Sequence, residues 1–201
     1  SMNSVVTVNG VQGHVAYPKL ADSASHRLIR MMGALLDDPL DSGNDYFDAS
    51  SLQVTSIDIN NPTENLIPGS AEARFNIRFN DMHSSDTLKN WIKEKLDKSA
   101  DGAFNYDIST KVSGESFFYP PGPLSNLVAK CVQQVTGERP EMSTTGGTSD
   151  ARFVKDHCPV CEFGLVGQTM HKVDECCELS DIIALTKIYK AILEGYFCGE
   201  N

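Results

Sequence analysis

The chain has 201 residues, of which 40% are hydrophobic and 22% charged, an ordinary composition for a globular protein of one large or two small domains. Its formal net charge of −10 argues against nucleic acid or an anionic membrane surface as a partner. No apolar run reaches the length of a membrane span, and the first residues lack the pattern of a secretory signal.

The cysteines are concentrated in the last third of the sequence. They are Cys131, Cys158, Cys161, Cys176, Cys177 and Cys198. A disulfide-stapled secreted domain would spread its cysteines, so this pattern indicates a cytoplasmic protein. The CxxC pair Cys158 and Cys161 could form a zinc site with Cys176, Cys177 and His171. However, residues 159–165 read as a strand that would turn the CxxC thiols to opposite faces, and buried thiols are the favoured interpretation.

The first 113 residues contain four strand patterns and two helix patterns in alternation. These patterns lie at residues 4–9, 22–36, 52–59, 73–79, 85–98 and 104–112. A shift of apolar parity within 52–59 predicts a bulge, and Asp22 or Ser23 is a suitable helix cap. The order β-α-β-β-α-β predicts a ferredoxin-like plait, and therefore an α+β fold class for residues 1–113.

The Pro-rich stretch 116–123 indicates a domain boundary, and residues 114–201 change in character. Helix patterns at 124–135, 149–155 and 179–197 alternate with the strand pattern at 160–165, which is typical of an α/β domain. Two or three strands are too few for a self-contained domain of that class. We therefore expect residues 114–201 to be an incomplete α/β segment of a larger sheet.

A run of small and hydroxylated residues at 143–150 stands out within this second part. Gly146 and Gly147 would let the backbone approach a ligand closely, and the amides that follow open a helix, where an anion is favoured. This pattern suggests a loop that binds a carboxylate or phosphate. An equally good interpretation is a turn in which Thr148 or Ser149 caps the helix.

Five motifs together resemble the M20 family of di-zinc metallopeptidases and deacylases, and within it the desuccinylases. They are GVQGHVAYP at 10–18, TENLIPG at 63–69, FNIRF at 75–79, TTGGTSD at 144–150, and HK with EC at 171–176. The motifs occur in the family's order and extend over nearly the whole chain. Without the resemblance, His14 and His171 would be taken for ordinary loop histidines.

The resemblance implies roles for particular residues. Residues 1–113 would be a lid domain through which two copies form a homodimer. His14 would reach the partner subunit's active site as a catalytic residue that stabilises the oxyanion. The substrate's succinyl carboxylate would be held by Asn65 and Arg78, and His171 would be a zinc ligand. The resemblance adds further pocket residues, namely Gly147, Thr148 and Ser149.

The implied substrate is a small molecule, N-succinyl-LL-diaminopimelate, hydrolysed to succinate and LL-diaminopimelate in the lysine pathway. The family's other zinc ligands and its catalytic base precede the lid, and this sequence contains no His-x-Asp motif and no Glu-Glu pair. We therefore expect a fragment that is inactive alone and binds zinc at most weakly, whereas the complete enzyme would hold two zinc ions. The alternatives are a related deacylase such as acetylornithine deacetylase, and a non-catalytic dimerisation module.

Overall fold

A computed structural model describes residues 1–100, 106–144 and 149–199. The chain divides into two compact units, Ser1–Phe117 and Phe118–Asn201. No helix in these described ranges is both long and apolar enough to cross a membrane.

The first unit is a ferredoxin-like plait, which confirms the predicted α+β class. Its elements are β1 (Met2–Asn9), β2 (Gly13–His14), a 3-10 helix (Pro18–Leu20), α1 (Ala24–Leu36), β3 (Ser51–Asp58), β4 (Leu66–Ile67), β5 (Ser70–Arg78), α2 (Ser85–Ser99) and β6 (Tyr106–Val112). The four long strands form an antiparallel sheet in the order β3-β5-β1-β6. The short strands β2 and β4 form a separate pair.

The period-two pattern of β5 explains how this sheet forms its core. Ala73, Phe75 and Ile77 are buried, whereas Arg74 and Arg78 are exposed on the other face. Helix α1 places a buried stripe on the same core, consisting of Leu28, Met31, Met32 and Leu35. The predicted bulge in β3 is confirmed as a register shift between Val54 and Ser56.

The segment that carries β2, residues 10–20, packs closely against the start of α1. Val11 and Asp22 exchange two backbone hydrogen bonds of 2.8 Å. A Cβ atom on Gly10 would lie 2.1 Å from the Asp22 carbonyl oxygen, so only glycine permits this approach. Asp22 is also held by an ion pair with Arg27, with Nε 2.8 Å from Oδ1. The backbone is therefore held in place at both ends of this segment, at Val11 and at Asp22.

The second unit contains α3 (Pro123–Thr136), α4 (Ala151–Val154) and α5 (Leu179–Phe197). Helices α3 and α5 pack together through a small buried cluster, made of Val128, Cys131, Val132 and Ile188. Gly137 ends α3 in the left-handed conformation, with φ of 83°.

Two predictions for this unit are wrong. Residues 160–165 form no strand, because the described part of the unit offers no other strand for their backbone to pair with. Among the thiols, only Cys131 is buried, and the other five cysteines are exposed. Those five lie in the loop segments between α4 and α5 or just after α5, outside the α3–α5 contact.

Candidate functional site

The structure brings His14 and Asn65 together. His14 pairs with Leu66 across the β2–β4 ladder, and the backbone N–H of Val15 donates to the Asn65 carbonyl at 3.1 Å. Both side chains are exposed. Asn61 braces the same loop, because its Nδ2 donates to the Leu66 carbonyl at 3.0 Å. We call the two segments that carry His14 and Asn65, residues 10–20 and 61–69, the His14 arm.

One hydrogen bond determines what the imidazole of His14 can do. The backbone N–H of Ala16 donates to His14 Nδ1 at 3.1 Å. Since Nδ1 is the acceptor, a neutral His14 carries its proton on Nε2. Nε2 is then a hydrogen-bond donor, suited to a carbonyl oxygen or an oxyanion rather than to taking up a proton.

Tyr17 is a neighbour of His14 to which sequence reasoning assigned no role. Its ring centroid lies 5.9 Å from that of His14, and its side chain is 63% exposed. Its backbone N–H donates to the His14 carbonyl at 2.9 Å, which closes a turn between the two residues. In the sequence, the ring contact between His14 and Tyr17 is signalled only by their separation of three residues, which a turn can bring together.

Arg78 lies at the end of the four-stranded sheet that is remote from the His14 arm. It is the last residue of β5, and its neighbour Ile77 pairs with Met2, near the point where the first unit begins. The His14 arm adjoins the other end of β5, where the backbone N–H of Gly10 donates to the Gly69 carbonyl at 2.9 Å. The eight residue steps of β5 span about 26 Å. Within one chain, the structure therefore does not bring Arg78 to His14 or Asn65.

The candidates in the second unit do not form a visible site. The Ser149 side chain is exposed, and its Oγ accepts a hydrogen bond of 3.0 Å from the N–H of Ala151 at the start of α4. Because the N-cap of α4 is Asp150 and no side chain caps this helix, the Ser149 contact is a local turn and does not confirm the capping interpretation. Gly147 and Thr148 lie outside the described residues. His171 is exposed in a turn with φ of 60°.

The described residues do not fit a metal site by themselves. Across the ranges 1–100, 106–144 and 149–199, no group of three or more His, Cys, Asp and Glu side chains is placed to hold a metal ion. A zinc ion needs at least three protein ligands. His171 could therefore supply one ligand, and the remaining ligands would have to come from elsewhere.

Comparisons with known proteins identify the relatives of this chain. Residues 1–103 match the family model of the M20 peptidase dimerisation domain. Succinyl-diaminopimelate desuccinylase of Rhodospirillum rubrum is 52% identical over 198 residues, covering 98% of this chain and 50% of that protein. The enzyme of that name from Xanthobacter autotrophicus is 54% identical over 198 residues, covering 98% of this chain and 52% of its own. The chain thus spans about half the length of the curated relatives it matches.

A solved structure supports the same assignment at the level of fold. The M20 family metallo-carboxypeptidase Sso-CP2 of Sulfolobus solfataricus has a TM-score of 0.75 and 13% identity, covering 97% of this chain and 58% of that one. At this identity the likeness bears on fold alone. With the family model matched over the plait that carries the His14 arm and Arg78, the chain belongs to the M20 peptidase dimerisation-domain family.

Proposed function

We propose that this chain is the dimerisation lid and a part of the catalytic unit of a desuccinylase that hydrolyses N-succinyl-LL-diaminopimelate to succinate and LL-diaminopimelate. The support is the identity of 52% and 54% to two proteins named for that activity, over 98% of this chain. The motifs that carry the candidate residues lie within that matched length.

The observation that carries the proposal is the placement of the polar candidates at the two ends of β5. An extended succinyl-diaminopimelate is shorter than this strand, so His14 and Arg78 of one chain cannot contact the same substrate molecule. Both can act on one substrate only if they come from two chains. The substrate site would then take Arg78 from one protomer and His14 with Asn65 from its partner.

The edge of the sheet at β3 is the surface we assign to this homodimer. Beside it, α1 exposes Ile29 at 57% and Leu36 at 55%, and between them Gly33 has open space around its Cα. Ile57 on β3 is 50% exposed on the same face of the sheet. The edge at β6 is flanked by α2, whose exposed side chains are mainly charged, which disfavours self-association there.

The symmetry of such a dimer matches the required placement. In a two-fold pair, β3 would run antiparallel to its copy, so the Ser51 end of one strand lies beside the Asp58 end of the other. Ser51 pairs with Arg78, whereas Asp58 pairs with Glu72 near the His14 arm. Arg78 of one chain would therefore lie at the same end of the continuous sheet as the partner's arm.

Each polar residue then has a physical task. The guanidinium of Arg78 would bind the succinyl carboxylate through two parallel hydrogen bonds, assisted by the amide of Asn65 from the partner. The Nε2–H of His14 would donate to the oxygen that becomes negative as the amide is attacked. Ser149, together with Gly147 and Thr148, would contribute hydroxyl and amide donors to the same pocket.

The metal chemistry would depend on residues beyond this chain. We propose zinc as the metal, with His171 as one ligand. The other ligands and the general base would lie in the part of the relatives that this chain does not match. The chain alone would therefore bind zinc at most weakly and would not turn over substrate.

A chimera tests this function. In it, this chain replaces the 198 residues that it matches in the Rhodospirillum rubrum relative. We expect the chimera to hydrolyse N-succinyl-LL-diaminopimelate faster than N-acetylornithine, and Arg78→Lys to raise KM for the succinylated substrate about tenfold or more, because the two-point contact is lost. Faster hydrolysis of N-acetylornithine would instead make it a related deacylase.

The second candidate is a dimerisation module without catalysis. It is favoured by the family match, which covers residues 1–103 and describes a peptidase dimerisation domain. A chain that dimerises, while the chimera hydrolyses neither substrate although it binds zinc, would establish this alternative.

A further inference from the structure

The carboxylate of Asp41 is the centre of a hydrogen-bond cluster in the loop between α1 and β3. Its side chain is only 3% exposed. It accepts hydrogen bonds from the N–H of Gly43 at 2.7 Å, the N–H of Ser50 at 3.1 Å and Nδ2 of Asn80 at 2.8 Å. Nε2 of His83 lies 3.1 Å from its other oxygen. We call these residues the Asp41 cluster.

The cluster encloses the point where the sheet ladder ends at Arg78. Ser50 immediately precedes Ser51, the residue that pairs with Arg78 on β3. Asn80 follows Arg78 by two residues, and its backbone N–H donates to Ser50 Oγ at 3.0 Å. The chain is therefore tied to one carboxylate just beyond the Ser51–Arg78 pair, at Ser50 before β3 and at Asn80 after β5.

The backbone at Arg78 needs such support for a physical reason. Ser51–Arg78 is the terminal pair between the edge strand β3 and β5, so no further sheet hydrogen bonds hold the chain beyond it. Two-point recognition of a carboxylate by arginine depends on the angle at which the planar guanidinium is presented. A small rotation of the strand end would be carried to the guanidinium through the whole length of the side chain.

We propose that Asp41 is a positioning residue for Arg78, acting by fixing the ends of β3 and β5. This inference rests on the proposed function, in which Arg78 binds the succinyl carboxylate. Asp41 itself would touch no substrate, because its oxygens are occupied by the donors of the cluster.

Succinate binding to this chain tests the inference. The probe is succinate, and the signal is the side-chain Nε–Hε resonance of Arg78, identified as the one lost in Arg78→Lys. We expect succinate to shift this resonance in the unsubstituted chain and Asp41→Asn to weaken the binding at least threefold. The resonance of Arg74, which is exposed on the same face of β5 and paired with Glu72, is the internal reference and should not move in parallel.

The matched control is Asp38→Asn, the same change of charge in the same loop. Asp38 pairs with Lys95 on α2, which is not a member of the Asp41 cluster. We expect it to leave succinate affinity unchanged. If the backbone amide spectrum shows that Asp41→Asn does not fold, Asn80→Ala is the second variant. It removes one hydrogen-bond donor to Asp41 and should weaken succinate binding to a smaller extent.

The outcomes separate the inference from the function on which it rests. If succinate does not shift Arg78 in the unsubstituted chain, the proposed role of Arg78 is wrong. If Arg78→Lys abolishes binding but a folded Asp41→Asn, or failing that Asn80→Ala, binds succinate as well as Asp38→Asn does, then Asp41 does not position Arg78. Equal weakening by Asp38→Asn would show a general charge effect and would also overturn the inference.

Discussion

The role of His14 depends on which of its two ring nitrogens carries the proton. The Ala16 amide donates to Nδ1 at 3.1 Å, so we expect the neutral ring to be protonated at Nε2. A long-range proton–nitrogen NMR spectrum of the imidazole groups in this chain, with His14 identified by His14→Gln, measures this directly. A neutral ring protonated at Nδ1 would contradict the oxyanion-donor role.

Asp41 should make the stability of the fold depend on pH in the acid range. Burial raises the pKa of this carboxyl, but hydrogen bonds from Ser50, Gly43 and Asn80 outweigh it and lower the pKa from its usual 3.8 to about 2. Because the folded-state pKa is the lower one, the stabilisation is fully present above about pH 4 and is lost as the pH falls toward about 2. It corresponds to roughly 2 kcal/mol of unfolding free energy.

Urea unfolding at several pH values checks this expectation. The difference in unfolding free energy between the unsubstituted chain and Asp41→Asn should be largest near neutral pH and should shrink below about pH 4. Asp38→Asn is the control, because its exposed pair with Lys95 contributes little. A difference for Asp41→Asn that stays constant down to about pH 2 would show that the stabilisation does not depend on the charge of the carboxylate.

Local sequence patterns predict the burial of some residues but not of others. The alternation of apolar and polar residues in β5 matches the observed burial of Ala73, Phe75 and Ile77, but the same alternation continued to Asn80 would place that residue on the outward face. Asn80 lies past the end of the strand and is buried, because Asp41 and Ser50 bind it from a loop some thirty to forty residues away. A contact of this range has no local signature.

Among the elements, those with local end signals were the most predictable. Ser23 caps α1 by accepting a hydrogen bond from the N–H of His26, and α5 spans Leu179–Phe197 as the apolar pattern indicated. The expected strand at 160–165 failed because a strand exists only with a partner, and partners are not encoded locally. Without a sheet in the described part of the second unit there is no buried face for the thiols of Cys158 and Cys161, which are therefore exposed.

The two edge strands offer a matched test of the dimer surface. Ile57 on β3 and Ile108 on β6 are both partly exposed, at 50% and 38%, on the helix-bearing face of the sheet. We expect Ile57→Asp to convert the chain to a monomer in light-scattering measurements, because it buries a charge in the proposed interface. Ile108→Asp should leave the dimer intact. The opposite pattern would place the dimer at β6.

At the scale of the whole molecule, the distribution of candidate residues has one consistent explanation. One chain holds Arg78 and the His14 arm at the two ends of β5, a strand about 26 Å long. It also spans about half the length of its curated relatives. A complete site would therefore need both a second copy of this chain and the part of the relatives that it does not match. The sequence motifs suggested the candidate residues, and the resemblance already implied that His14 acts in the partner's site. The fold adds that Arg78 and the His14 arm of one chain lie at opposite ends of β5.

Mixing two inactive variants of the chimera tests this shared site most directly. Arg78→Ala and His14→Ala should each abolish most activity, since every site then lacks one group. If each site takes Arg78 from one chain and His14 from its partner, a mixed dimer has one intact site and one doubly impaired site. Random mixing should then restore about a quarter of the unsubstituted activity, because half of the dimers are mixed. No recovery, with mixed dimers shown to form, would mean that both residues act within one chain and would contradict the account.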